Sequence, residues 1–162
     1  MSRILGCDPG LATGIAIYDT DLCTLTYTFE TGQGIYGFKP KFKELMGGLS
    51  NPYGITHFAC EGFTLRSSNK FTADLSGVEI IGWLKGEGYW GKKNPEPFQH
   101  MSLTKLGEKD PKGDSKVTKL MKQQGFKIGK GHTRMAGSVA IWYASKVLYH
   151  EPTLELLKPK DS

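Results

Sequence analysis

The segment 3–19, RILGCDPGLATGIAIYD, encodes two strands and the turn between them. Ile4 to Asp8 is an apolar run with a charged end, Pro9-Gly10 supplies a sharp turn, and Gly14 to Tyr18 is a second apolar run suited to return antiparallel to the first. Asp8 therefore sits at the tip of a buried strand. A carboxylate there is costly unless it is partnered, and two partners compete for it: a divalent cation, or N–H groups of the Gly10 turn.

Composition bounds the rest. A chain of 162 residues with 38% hydrophobic content is one domain, 1–162, large enough to bury a core. No apolar run approaches a membrane span, and Met1-Ser2-Arg3 leads straight into a strand with no room for a signal peptide. Cys7, Cys23 and Cys60 fall inside expected strands without paired or metal-like spacing, so they read as small buried thiols of a reducing compartment, the cytoplasm. The net charge is +5, and residues 105–130 carry eight lysines against Glu108, Asp110 and Asp114, which accounts for all of it. A cationic excess confined to one region suits a phosphate-backbone binder, although lysine-rich surface also serves solubility.

Along the chain, strands and helices alternate. Cys23 to Glu30 (CTLTYTFE) reads as the third strand of a meander, and the glycine-spaced stretch from Thr31 to Phe38 as a mobile loop. Phe42, Leu45, Met46 and Leu49 recur at helical spacing, predicting a helix from about Pro40 to Leu49. Ile55 to Glu61 (ITHFACE) is a short apolar strand that, like the first, ends in an acid. A helix follows from about Thr72 with Leu75, Val78, Ile81 and Leu84 inward, and Gly77 and Gly82 suggest close approach to another helix. Residues 97–103 (PFQHMSL) read as a last strand, Asp114 or Ser115 as the cap of a helix to about Gln124, and residues 129–150 as a final helix with an apolar and a solvent side. The tail beyond His150 reads as partly frayed.

Cys7-Asp8 and Cys60-Glu61 share a pattern, a small residue preceding an acid with a glycine within two positions. Neighbouring side chains of a strand point to opposite faces, so each Cys can pack inward while its acid emerges on the other side. If the two strands are parallel neighbours, with the intervening helix as crossover, Asp8 and Glu61 meet at one sheet edge. Two carboxylates there raise each other's pKa unless a cation bridges them.

These residues resemble a known family. ILGCDPGLATGIAIYD is similar to the opening of RuvC-type Holliday-junction resolvases, and FACEGF to their strand-end Glu and following Phe; the short chain looks most like a phage-encoded member. The resemblance implies an α/β, RNase H-like fold, with a mixed five-stranded sheet of three antiparallel meander strands plus parallel strands, flanked by helices. It implies a homodimeric endonuclease, dependent on Mg2+ or Mn2+, that acts on branched DNA in the cytoplasm, with Asp8 and Glu61 as metal ligands and further acids from the last helix. The chemistry suits those residues: roughly 3.5 to 4 Å separates the cations of two-metal phosphodiester hydrolysis, and carboxylates are the hard ligands that hold them. An actin-like ATPase shares the fold, but this chain is too short for two such domains.

The resemblance also assigns Phe63 to wedging a junction, with core packing as the competing role, and Arg66 and Lys70 lie in the same segment, GFTLRSSNK. Lys105 is nearest the family's lysine position. Lys109, Lys112, Lys116 and Lys119, beyond the reach of the resemblance, are expected to extend a phosphate-contacting face, with a solvated lysine surface as the competing role. The last helix departs from the pattern: Gly137 stands where an acid belongs, and no carboxylate occurs between His132 and His150. Three accounts stay open. Gly137 is an inactivating substitution; His132, as a ligand, or a residue elsewhere completes the metal site; or the protein binds branched DNA without cutting it.

Overall fold

The computed structural model describes residues 2–47, 52–62, 75–87 and 132–157. The opening segment folds as β1 (Arg3–Asp8) and β2 (Thr13–Asp19), antiparallel, with Asp8 opposite Gly14. The turn is locked by the Thr13 hydroxyl, which donates to the Gly10 carbonyl at 3.0 Å and accepts the Gly10 N–H at 3.2 Å. That N–H is thereby taken, so the turn does not use it to hold Asp8.

β3 (Thr24–Thr31) completes the meander against β2, and β4 (His57–Cys60) lies parallel to β1 on its other side, giving the order β3-β2-β1-β4. The described residues thus form a four-stranded mixed sheet; the fifth strand expected at 97–103 lies outside them. Cys23 is not in a strand as expected. It occupies the β2–β3 turn at φ 50°, its thiol donating to the Thr20 carbonyl at 3.3 Å.

One face of the sheet presents Leu5, Cys7, Ile15, Ile17, Phe58 and Cys60 to α1 (Ile35–Met46) and α2 (Ser76–Gly86). Helix α1 begins five residues before the expected Pro40, inside the stretch read as a mobile loop. Gly34, at φ 57°, turns the chain into the helix, and Phe38 joins Phe42 and Leu45 in a fully buried stripe whose packing outweighs the hydrogen bond that interior Pro40 removes. Gly47 ends the helix in the left-handed conformation, before the expected Leu49. In α2 the inward residues are Ile80, Ile81 and Leu84, whereas Leu75 and Val78, expected inside, are 53% and 41% exposed. Among the described residues nothing lies within 4 Å of the point where Gly82 would carry a Cβ.

The other face holds Ile4, Ala16, Tyr18 and Ala59 against α3 (His132–Lys146). This helix was expected to be amphipathic, yet Ala136 to Ile141 are consecutively buried, because small residues let it sit directly on the strands. A Cβ at Gly6 would stand 2.2 Å from the Ala136 carbonyl oxygen, and one at Gly14 would collide with the His132 carbonyl. Beyond His150, α4 (Glu151–Leu157) is formed: Thr153 and Leu157 are buried, and the Thr153 hydroxyl pairs with the Tyr18 hydroxyl at 2.9 Å; residues 158–162 lie outside the described residues.

Asp19 closes the far end of β2. Burial alone would raise its pKa, but hydrogen bonds from the Leu22 N–H, the Arg3 guanidinium and the Asp21 N–H outweigh that and hold it below the ordinary carboxylate value. A depressed folded-state pKa contributes stability above the unfolded value and loses it as pH falls towards the folded one. Asp19→Asn is therefore expected to cost about 2 kcal/mol at neutral pH in urea melts, with the gap to wild type closing on acidification below the ordinary carboxylate range.

Candidate functional site

The site is built where β1 and β4 end. Cys7 is the register partner of Cys60, and the Glu61 N–H continues the ladder by donating to the Cys7 carbonyl at 2.9 Å. Asp8 and Glu61 are therefore the next pair of a parallel ladder, pointing to the face opposite their cysteines. Their carboxyl groups are within hydrogen-bonding reach of each other. The geometric expectation from the two strand-end acids is met.

Burial raises the Asp8 pKa above the ordinary carboxylate value, while the hydrogen bond from Glu61 pulls it back down. The sequence reading placed the cause in mutual repulsion; desolvation dominates instead, because only 16% of the Asp8 side chain is exposed. A cation bridging the two carboxylates would offset the cost of burying them.

The third member is His132, whose Nδ1 stands 3.1 Å from Asp8 Oδ2. It is the first residue of α3, and Gly14 brings it there. With no side chain at position 14, the helix start settles onto β2 beside Asp8. The imidazole is 46% exposed. That proximity was not legible from spacing, since 124 residues separate the two.

Phe63, Arg66, Lys70, Lys105, Lys109, Lys112, Lys116 and Lys119 all lie outside the described residues. Gly137 is buried in α3, which carries no carboxylate. Among the described residues no three His, Cys, Asp or Glu side chains form a ready cage for a metal ion. The donor set nonetheless fits a hard divalent cation, which commonly takes one or two carboxylates and completes its shell with water and substrate phosphate. Imidazole suits Mn2+ better than Mg2+.

No family model and no curated protein matches the sequence. Solved structures do match. A Thermus thermophilus RuvC bound to a Holliday junction substrate superposes with a TM-score of 0.68 over 92% of this chain and 96% of that one, at 12% identity. The fold is that of RuvC. A second Thermus thermophilus RuvC structure gives a TM-score of 0.65 over 91% and 96% of the two chains, at 11% identity. At such identities the likeness to RuvC lies in the arrangement of strands and helices.

Proposed function

We propose that this protein is a divalent-metal-dependent endonuclease that resolves Holliday junctions or related branched DNA. The observation that carries the reading is the convergence of Asp8, Glu61 and His132 at one edge of a RuvC-like sheet. Asp8 and Glu61 are the residues to hold Mg2+ or Mn2+. The ion, when bound, neutralises charge on the scissile phosphate and activates water.

The chain's own groups divide the remaining work. With His132 in the tautomer protonated at Nδ1, Asp8 Oδ2 accepts that N–H, which would fix the ring and leave Nε2 to take a proton from the attacking water. The largely buried Asp8 carboxyl strengthens that interaction by keeping water away. Phe63, Arg66 and Lys70 follow directly on the Glu61 strand end and are assigned to the junction, and Lys105, Lys109, Lys112, Lys116 and Lys119 to phosphates. A homodimer would present one such site to each of two strands.

The direct test is incubation of the purified chain with a synthetic four-way junction, a linear duplex, and Mg2+ or Mn2+. Cleavage of the junction in preference to the duplex, abolished by chelation, supports the reading; equal cutting of both removes the branched-DNA assignment. His132→Ala is expected to slow junction cleavage about a hundredfold at unchanged junction affinity, as read from single-turnover rates and gel shifts. Lys116→Ala is expected to weaken binding to all DNA forms alike and to reduce the slope of log affinity against log salt by about one.

A second reading, a branched-DNA-binding protein without nuclease activity, is favoured by one observation: α3 supplies no carboxylate, with Gly137 where the resemblance places one. Nicking by Gly137→Asp in Mn2+, with none by wild type, selects that reading.

A further inference from the structure

The reaction described above uses the carboxyl side of the β1 and β4 strand ends and leaves the opposite side unexplained. There Cys7 and Cys60, both free thiols, are direct register partners on neighbouring parallel strands. They are 0% and 5% exposed and belong to the same buried cluster, and the Cys60 thiol reaches the Glu61 carbonyl at 3.4 Å. Each thiol immediately precedes a carboxylate of the candidate site. Cys23, in the β2–β3 turn, serves as an internal control because its thiol is engaged by the Thr20 carbonyl instead.

We propose that Cys7 and Cys60 are an oxidisable dithiol whose closure to an internal disulfide shifts Asp8 against Glu61. The coupling to catalysis rests on the nuclease reading; the modification itself does not. With a hydroperoxide as oxidant, one thiol attacks the peroxide oxygen, giving a sulfenic acid and releasing an alcohol. The second thiol then displaces water from that sulfenic acid to form the S–S bond. Both thiols are oxidised by one electron each, and the hydroperoxide takes up the pair.

The geometry says what closure does. Neighbouring strands are about 4.8 Å apart, whereas a disulfide draws its Cβ atoms to about 3.8 Å. That strand spacing already lies within the range of about 4.4–6.8 Å between the Cα atoms of a disulfide, so the bond can form. Side chains of neighbouring strands stand roughly parallel, however, and the two Cβ atoms must close by about 1 Å, which twists the strand ends that carry the acids. The nearest backbone link to give way is the Glu61 N–H to Cys7 carbonyl bond. A bond made against such strain is easily reduced, which is the property of labile, regulatory disulfides. Burial makes closure slow, since the oxidant enters only when the short β4 opens.

The test treats the whole reduced chain with hydrogen peroxide and follows it by intact mass, peptide mapping and amide hydrogen exchange. The expected result is a monomer lighter by two hydrogens, a Cys7–Cys60 cross-linked peptide, faster exchange at the Glu61 amide, and recovery of all three on adding dithiothreitol. Junction cleavage should fall about a hundredfold in the oxidised form. Cys60→Ala should cut normally and ignore peroxide, while Cys23→Ala should respond as wild type does. Thiol loss without the Cys7–Cys60 link overturns the proposal, and so does a linked chain with unchanged exchange or undiminished cleavage. A reduced chain that never cuts DNA counts against the nuclease reading alone, because mass and exchange report on the dithiol without substrate.

Discussion

Asp8→Asn is expected to bind a four-way junction with the affinity of the parent chain and to cleave it at least on the order of a thousandfold more slowly. The amide matches the carboxylate in shape, so the strand end and the contact to His132 can persist. It lacks the charge that holds a cation, while its carbonyl oxygen can still accept a hydrogen bond from His132. The prediction separates two roles for this residue. If Asp8 only braced the turn, the variant would lose stability and junction binding together, and a gel shift alongside a urea melt would show it. Geometry already weighs against bracing, because the Gly10 N–H is satisfied by Thr13.

Gly14→Ala is expected to be at least as damaging by a different route. The added methyl would overlap the backbone of His132, with the Thr133 nitrogen 2.8 Å away. Backbone atoms at a helix start cannot rotate aside as a flexible side chain could, so α3 must lift from the sheet. We expect a loss of about 3 kcal/mol in denaturant melts. Cleavage should fall as well, since the movement withdraws His132 from Asp8. Melting and cleavage unchanged from wild type would mean that α3 does not rest on β2 as described.

Much of this architecture was legible in the sequence for identifiable reasons. The meander and the two acid-tipped strands could be read because period-two apolar runs, glycine turns and strand-end charges are local signals. The parallel β1–β4 pairing followed from a crossover helix of adequate length between β3 and β4. Helix α1 was misplaced because Pro40 looked like a beginning when burial of Phe38 moves the start back to Ile35. Helix α2 was read with the wrong face inward at Leu75 and Val78, since nearly every side of it is apolar and spacing cannot choose among sides. His132 was named only as one candidate among several. Its contact with Asp8 depends on where α3 lands on the sheet, and that is set by Gly6 and Gly14, which sit in the strands and not in the helix.

The position of α3 also bears on how the chain is made. The surface formed by Ile4, Ala16 and Tyr18 is covered by residues 136–144, more than a hundred positions downstream. During synthesis at about 5–20 residues per second, that apolar surface waits on the order of ten seconds for its cover. A nascent meander is therefore a natural client for whatever shields hydrophobic surface near the ribosome, and slow codons placed before residue 132 would prolong its exposure.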